Sequence, residues 1–180
     1  RGKPADVLPF WVADMDFEIP PELKQILLDR VNHGVFGYTE SDDEYFDVLK
    51  NWFTTRFNWT PEQKWLVKTP GIVFALAMAV RAFTKEGEGV LINQPVYYPF
   101  SMVIDDNNRH LINVPLIKGE ERYTIDFEGI ERAIVEENVT LFLLCNPHNP
   151  VGRVWTEDEL KRLGDICIKH NVLIVSDEIH

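Results

Sequence analysis

The sequence predicts an α/β fold in which a mostly parallel sheet lies between two layers of helices. Four apolar runs have the length and composition of buried strands, at residues 90–92, 111–116, 141–145 and 173–175. Helical patterns separate these runs, at residues 100–106, 127–137 and 157–170. Because strands that alternate with helices are joined by right-handed crossovers, we expect a three-layer α/β/α domain.

The N-terminal part of the sequence is expected to be mainly helical. A first helix begins at Pro20 and Pro21 and is ended by Gly34. Residues 41–57 carry apolar side chains at helical spacing behind a capping-box pattern at 41–44, and residues 64–67 are expected to be extended. A further helix at 72–83 is apolar nearly all round, which predicts that it is buried.

Composition narrows the classes of function. At 180 residues and 45% hydrophobic content, the chain can fill one α/β domain. Its net charge of -11, with scattered Lys and Arg, argues against a nucleic-acid partner. Cys145 and Cys167 form neither a disulfide framework nor metal-ligand spacing, so a reduced, cytoplasmic location is the expectation.

Nothing in the sequence has the pattern of a membrane span or of a secretory signal. The chain starts without Met and stops directly after a strand-like run. We therefore expect it to be part of a longer polypeptide.

Two polar residues follow strand-like runs and are the first candidates for a binding site. Asn149 comes after residues 139–145 and Asp177 after residues 172–175, at the carboxyl edge of the sheet where α/β proteins bind ligands. Asp177 would keep a ring nitrogen protonated, and Asn149 would hydrogen-bond a phenolic oxygen. These are the requirements of pyridoxal 5'-phosphate (PLP).

Two further segments fit the same ligand. Gly71 turns the chain into an apolar helix, whose free N–H groups and dipole favour a phosphate, although such a glycine alone more often only makes a turn. Tyr97 follows the run 90–92 and could stack on a ring, although a Tyr next to Pro in a turn is more often plain packing. His180 could reach the phenolic oxygen or lie on the surface.

A metal site is the competing interpretation of the same region. The possible ligands are Asp177, Glu178, His180 and His148. Residues 146–150 supply amides and prolines rather than more carboxylates or imidazoles, which disfavours this interpretation.

Four segments carry a resemblance to a known family: residues 8–17, 34–39, 146–152 and 176–180. On these, the chain resembles fold-type I PLP-dependent enzymes of the class I/II aminotransferase superfamily, and within it the MalY/PatB-type cystathionine β-lyase branch. The resemblance implies that residues 1–36 form an N-terminal arm and a helix of the small domain. It implies that residues 37–180 form the first part of the PLP-binding large domain.

The resemblance also implies roles for single residues around the coenzyme. Gly71, Ile72 and Val73 would bind the phosphate through backbone amides, and Tyr97 would stack on the ring. His180 takes the place where many relatives have a Tyr that points at the phenolic oxygen, the atom that Asn149 would also bind, while Asp177 would pair with the ring nitrogen.

The remaining roles concern the substrate and a second subunit. Tyr38 resembles a residue that reaches the phosphate of the neighbouring active site in a homodimer. Trp11, Ala13 and Asp14 resemble the substrate-side wall. The Schiff-base lysine of the family is expected beyond His180, so the 180 residues alone are expected to be inactive.

The resemblance favours one activity over two others. It implies a carbon–sulfur β-lyase that converts cystathionine or related cysteine S-conjugates to pyruvate, ammonia and a thiol. An amino acid aminotransferase is the first alternative. A non-catalytic regulatory protein that keeps the PLP fold is the second.

Overall fold

The chain packs as two units, Arg1–Leu66 and Val67–His180, in the computed structural model. The structure describes residues 2, 4, 6–8, 12 and 15–180. Among the helices of these residues, none combines the length and the apolar character needed to cross a membrane.

The first unit contains the two long helices that the sequence predicts. Helix α1 spans Pro21–His33 and ends at Gly34, which has the left-handed conformation with φ 73°. Helix α2 spans Asp43–Phe57. Its cap is the Asp42 carboxylate, which accepts the Tyr45 N–H at 3.2 Å, so the cap lies one residue later than the capping-box pattern predicts.

The extended piece expected at residues 64–67 is wrong for residues 64 and 65, whereas Leu66 has an extended backbone. Residues Gln63–Trp65 form a single 3₁₀ turn, closed by hydrogen bonds from Trp65 N–H to the Glu62 carbonyl and from Leu66 N–H to the Gln63 carbonyl. The turn places the Trp65 ring on that of Trp59, with 6.3 Å between centroids and 19° between planes. This aromatic contact offers a physical reason for the turn.

The second unit is a parallel sheet covered by helices on both faces, which confirms the predicted fold class. Its helices are α3 (Ile72–Phe83), α4 (Pro99–Asp105), α5 (Phe127–Glu136) and α6 (Glu157–Lys169). Its sheet strands are β1 (Gly89–Ile92), β2 (His110–Asn113), β5 (Val139–Cys145) and β6 (Leu173–Asp177), in the order β2-β1-β5-β6. A separate antiparallel pair, β3 (Ile117–Lys118) and β4 (Tyr123–Thr124), was not predicted.

The central strands are buried on both faces because their side chains alternate between two cores. In β5, Leu141 and Leu143 pack with α3 and α4, whereas Phe142 and Leu144 pack with α5 and α6. Both cores are made of aliphatic and aromatic side chains at the strand period of two. The sheet is therefore a rigid base for the loops at its carboxyl edge.

Two sequence-based expectations need correction in this unit. The strand expected at 111–116 ends at Asn113, shortly before Pro115, which has no N–H to donate to a ladder. Helix α3 is not buried all round, since only Leu76 and Val80 are buried and Phe74 is 47% exposed. A helix that lies on a sheet buries only the side that faces the sheet, so apolar composition alone did not establish burial.

Candidate functional site

The loops that follow β5 and β6 start side by side. The two strands are parallel, with Cys145 opposite Asp177, and the Asn146 N–H donates a 3.0 Å hydrogen bond to the Asp177 carbonyl. The loop that carries Asn149 therefore begins next to Asp177. Because β1 pairs with the other side of β5, the loop that carries Tyr97 leaves the same edge of the sheet.

Asp177 is a buried acidic residue that has no cation beside it among the described residues. Its side chain is 7% exposed, and Oδ1 accepts the Ile179 N–H at 3.1 Å. No salt bridge to Asp177 is found within the described part of the chain. Since a buried carboxylate is costly unless it is paired, this position fits a protonated ring nitrogen.

A cavity of about 290 Å³ lies beside the loop after β5. Its lining is Pro147, His148, Asn149, Pro150, Gly152 and His180. The structure thus brings together Asn149 and His180, the two residues that the sequence assigns to a phenolic oxygen. His180 is itself exposed.

The loop is held by residues that sequence reasoning missed. The Trp155 indole N–H donates to the Cys145 carbonyl at 3.0 Å, and the Trp155 backbone N–H donates to Asn146 Oδ1 at 3.1 Å. The Asn149 N–H donates to Cys145 Sγ at 3.4 Å. The only signal in the sequence was a Trp three residues after Gly152, which is not distinctive alone.

Gly71 is the N-cap of α3 and has a backbone conformation that favours glycine. Its φ is 156° and its ψ 162°, and an added Cβ would meet no atom within 4 Å. No side chain among the described residues caps this helix, so its first-turn N–H groups, including those of Ile72 and Val73, have no side-chain acceptor there. A short loop joins the C-terminus of α3 to the start of β1, so the helix runs back along the sheet in the direction opposite to the strand. The N-terminus of α3 therefore lies at the carboxyl edge of the strands.

Tyr97 lies in the loop between β1 and α4. Its side chain is 38% exposed, and its ring centroid is 5.3 Å from that of Tyr98, with the planes 59° apart. The Tyr97 carbonyl accepts the Phe100 N–H at 3.0 Å, which ties the loop to the start of α4. A partly exposed aromatic ring at this edge is available to stack on a flat ligand.

The remaining candidates lie elsewhere in the chain. Tyr38 belongs to the first unit and its side chain is fully exposed. Trp11, Ala13 and Asp14 lie outside the described residues. Across the described ranges, no group of three or more His, Cys, Asp and Glu side chains is placed to hold a metal ion.

The donor set of the second unit fits PLP. As far as the described residues go, it offers a helix N-terminus without a side-chain cap for the phosphate, an aromatic ring, an amide and a buried carboxylate without a cation. Comparison with known proteins agrees with this fit, because residues 5–180 match the model of the family Aminotransferase class I and II. The chain belongs to this family.

Curated relatives from the family include carbon–sulfur lyases. The chain is 45% identical over 175 residues to cystathionine beta-lyase PatB of Bacillus subtilis (strain 168), covering 97% of the chain and 45% of that protein. It is 36% identical to protein MalY of Escherichia coli (strain K12), covering 98% of the chain and 45% of that protein. The chain therefore spans less than half the length of the curated relatives it matches.

Solved structures share the fold. Cystalysin from Treponema denticola, which contains a PLP cofactor, aligns with a TM-score of 0.92 and 44% identity, covering 98% of the chain and 45% of that structure. A PLP-bound putative aminotransferase from Clostridium difficile 630 aligns with a TM-score of 0.91 and 49% identity, covering 97% and 45%. The predicted family is thereby confirmed, and both of these solved structures contain the predicted coenzyme.

Proposed function

We propose that the intact protein containing this chain is a PLP-dependent carbon–sulfur β-lyase that acts on cystathionine or related cysteine S-conjugates. The observation that carries the dependence on PLP is the buried Asp177 carboxylate, which has no cation beside it among the described residues and lies next to the Asn149 loop. The lyase relatives, which align along almost the whole chain, support the choice of reaction. The products would be pyruvate, ammonia and a thiol.

The side chains of the site divide the work of holding the coenzyme. The backbone amides at the start of α3, from the N-cap Gly71 and from Ile72 and Val73, would bind the phosphate. Tyr97 would lie against the ring, and Asn149 and His180 would face its phenolic oxygen. These assignments remain proposals that rest on the positions of the residues at one edge of the sheet.

Asp177 has the central electrostatic role in the proposal. When bound, PLP withdraws electrons from the substrate α-carbon after that carbon loses its proton. A carboxylate beside the ring nitrogen would favour the protonated form of this nitrogen and so strengthen the withdrawal. Burial of Asp177 excludes water and makes the interaction stronger than it would be on the surface.

Aminotransferase activity is the second candidate, because the solved structure with 49% identity is described as a putative aminotransferase. Both reactions start with removal of the α-proton, so the coenzyme contacts do not separate them. They differ in whether a thiolate leaves the β-carbon or the amino group is transferred to the coenzyme.

Product analysis of the intact protein separates the two candidates. The protein is reconstituted with PLP and given L-cystathionine without an oxo acid. Pyruvate, ammonia and homocysteine in equal amounts over many turnovers support the lyase. A single turnover that restarts only after an oxo acid is added supports the aminotransferase, and no reaction with any amino acid contradicts both.

The Asp177→Asn variant tests the site itself. The amide keeps an oxygen for the Ile179 N–H but loses the negative charge, so we expect bound PLP with turnover reduced at least about 100-fold. Asp165→Asn is the matched control, since Asp165 is an exposed carboxylate on α6. Equal activity of the two variants would contradict the role of Asp177.

We also propose that the intact protein is a cytoplasmic homodimer in which Tyr38 reaches the partner's coenzyme phosphate. The full exposure of Tyr38 and the two free, buried cysteines support these assignments. Mixing Tyr38→Phe and Asp177→Asn subunits tests the dimer, because only a residue acting across the interface would leave one intact site per mixed dimer. Recovery of activity on mixing is expected, and no recovery would contradict the arrangement.

The assignment of residues 1–36 to a small domain and of 37–180 to a large domain belongs to the same proposal. Limited proteolysis of the intact protein tests it, with cleavage expected near residues 36 and 37.

A further inference from the structure

One hydrogen bond joins the two loops that carry Tyr97 and Asn149. The His148 Nε2 atom lies 2.9 Å from the carbonyl oxygen of Pro95, a residue 53 positions earlier in the chain. A carbonyl oxygen can only accept, so Nε2 carries the hydrogen. Tyr97 lies two residues after one end of this bond, and Asn149 follows directly after the other.

The environment of the imidazole keeps it neutral and in this tautomer. The His148 side chain is 3% exposed, and Nδ1 has no hydrogen-bond partner among the described residues. Burial lowers the pKa of His148, and the carbonyls of Pro95 and Cys145 oppose this change only in part. The ring also packs edge-on against Trp155, with centroids 5.4 Å apart and planes at 77°.

The Tyr97 loop is held from two sides. On the β2 side, Asn113 Oδ1 accepts the Gln94 N–H at 3.0 Å, and the Leu116 N–H donates to the Gln94 carbonyl at 2.8 Å. On the β5 side, the bond between His148 and Pro95 joins it to the Asn149 loop. Among the side-chain hydrogen bonds of the described residues, this is the one that links the two loops directly.

The backbone of His148 is itself fixed. Its N–H donates to the Arg153 carbonyl at 2.6 Å, and its carbonyl accepts the Gly152 N–H at 2.8 Å. The imidazole therefore projects from a closed turn rather than from a free loop. Because the backbone of His148 is fixed, the bond from its ring to the Pro95 carbonyl couples the position of one loop to that of the other.

We propose that His148 is a positioning residue that sets the spacing between Tyr97 and Asn149 through its bond to the Pro95 carbonyl. The consequence for coenzyme affinity rests on the proposed function, because it requires that Tyr97 and Asn149 contact PLP. The link between the loops does not depend on the coenzyme.

Two substitutions separate the bonding role of the imidazole from its bulk. Gln carries a donor near the position of Nε2 and can reach the Pro95 carbonyl, whereas the shorter Asn places its donor near Nδ1 and cannot. His148→Gln is thus the conservative variant and His148→Asn the disrupting one. Both remove the ring, so the edge-on contact with Trp155 is lost in both variants.

The first measurement is hydrogen–deuterium exchange of the intact protein without PLP. In His148→Asn we expect exchange to rise about fivefold to tenfold in both residues 94–98 and residues 146–152, the size expected for one lost hydrogen bond. In His148→Gln we expect both segments to stay within about twofold of the unsubstituted protein. A rise confined to residues 146–152, or equal in the two variants, would overturn the proposal.

The second measurement is the dissociation constant for PLP, taken alone and in an Asn149→Ala background. We expect His148→Asn to weaken PLP binding about fivefold to tenfold, and to weaken it less than twofold further once Asn149 is absent. Full additivity would show that His148 acts on stability alone and would overturn its positioning role. If the unsubstituted protein bound no PLP, the proposed function would fail, while the exchange measurement would still decide whether His148 links the loops.

Discussion

Arg153 and Glu159 form an ion pair with 2.6 Å between Nη2 and Oε2, and the side chains are only 9% and 19% exposed. The same Glu159 oxygen accepts the Thr156 N–H at 2.8 Å, which completes a capping box at the start of α6. Arg153 Nη1 donates to the Tyr123 carbonyl in β4 at 2.7 Å. The Arg153 guanidinium thus connects the loop after β5, the first turn of α6 and the antiparallel pair of β3 and β4.

Replacement of Glu159 by Ala is expected to destabilise the protein by about 3 kcal/mol, because it leaves the buried Arg153 without a carboxylate. Glu157→Ala removes an exposed carboxylate from the same helical turn and is the control for the helix dipole. Urea unfolding of the intact protein measures both variants. Equal losses of unfolding free energy would show that the ion pair adds nothing.

The same pair predicts a dependence of stability on pH. Burial acts to raise the pKa of Glu159, but the Thr156 amide and the Arg153 guanidinium outweigh it and hold this pKa below its usual value. The contribution of ionised Glu159 to the free energy of unfolding is therefore complete above the ordinary pKa of a carboxylate. It is lost as the pH falls through the lowered pKa of Glu159. Urea midpoints between pH 6 and pH 3 should fall less steeply in Glu159→Ala, and parallel curves would contradict this expectation.

Gly71→Ala is expected to cost about 1 to 3 kcal/mol of stability, because φ 156° with ψ 162° is a backbone conformation that alanine avoids. Gly164→Ala provides a control of opposite sign. Gly164 lies inside α6, where an added Cβ meets no atom within 4 Å, so a gain of about 0.5 to 1 kcal/mol is expected. Thermal unfolding distinguishes the two, and a neutral Gly71→Ala would show that the turn relaxes.

Glu131 is expected to titrate at unusually low pH. Hydrogen bonds from Lys169 Nζ at 2.6 Å and from His170 Nε2 at 2.8 Å lower its pKa to about 2. Between pH 4.5 and the lowered pKa, Glu131 binds a proton in the unfolded chain but not in the folded chain. The contribution of ionised Glu131 to the free energy of unfolding is therefore lost on acidification. Carboxyl NMR should show the Glu131 pKa rising in Lys169→Gln and unchanged in Lys161→Gln; a pKa near the usual value in the unsubstituted protein would refute the ion pair.

Cys145 and Cys167 are expected to be unreactive in the folded protein. Burial raises the pKa of Cys167 to about 11 and also raises that of Cys145. At pH 8 only about one Cys167 in a thousand would be a thiolate. Alkylation followed by peptide mapping should label both residues only after denaturation, whereas rapid labelling of either in the native state would contradict their burial.

The parts of the site that follow strands could be predicted because parallel strands bring their carboxyl ends together. Asn149 and Asp177 follow apolar runs, and the register that places Asp177 opposite Cys145 puts them at one edge. The bond between His148 and Pro95 could not be predicted, since it joins residues 53 positions apart without a sequence pattern. The site residues as a set stay predictions, as does the absence of activity in the 180 residues alone.

Other features were hidden for local reasons. Strands β3 and β4 have two residues each, which is too short for an alternating pattern to be recognised. The exposure of Phe74 could not be predicted from composition. An apolar composition shows that a helix can be buried, but it does not show which of its sides another element covers.

The strand order has a consequence for the way the protein folds. Strands β1 and β5 are neighbours in the sheet. In the chain they are separated by α4, β2, the antiparallel pair of β3 and β4, and α5. Their pairing must close a long loop, which is entropically costly and slow compared with local helix formation. The Tyr97 and Asn149 loops meet only after that closure, so the ability to capture a coenzyme arises late in folding and marks chains whose central strands have already joined.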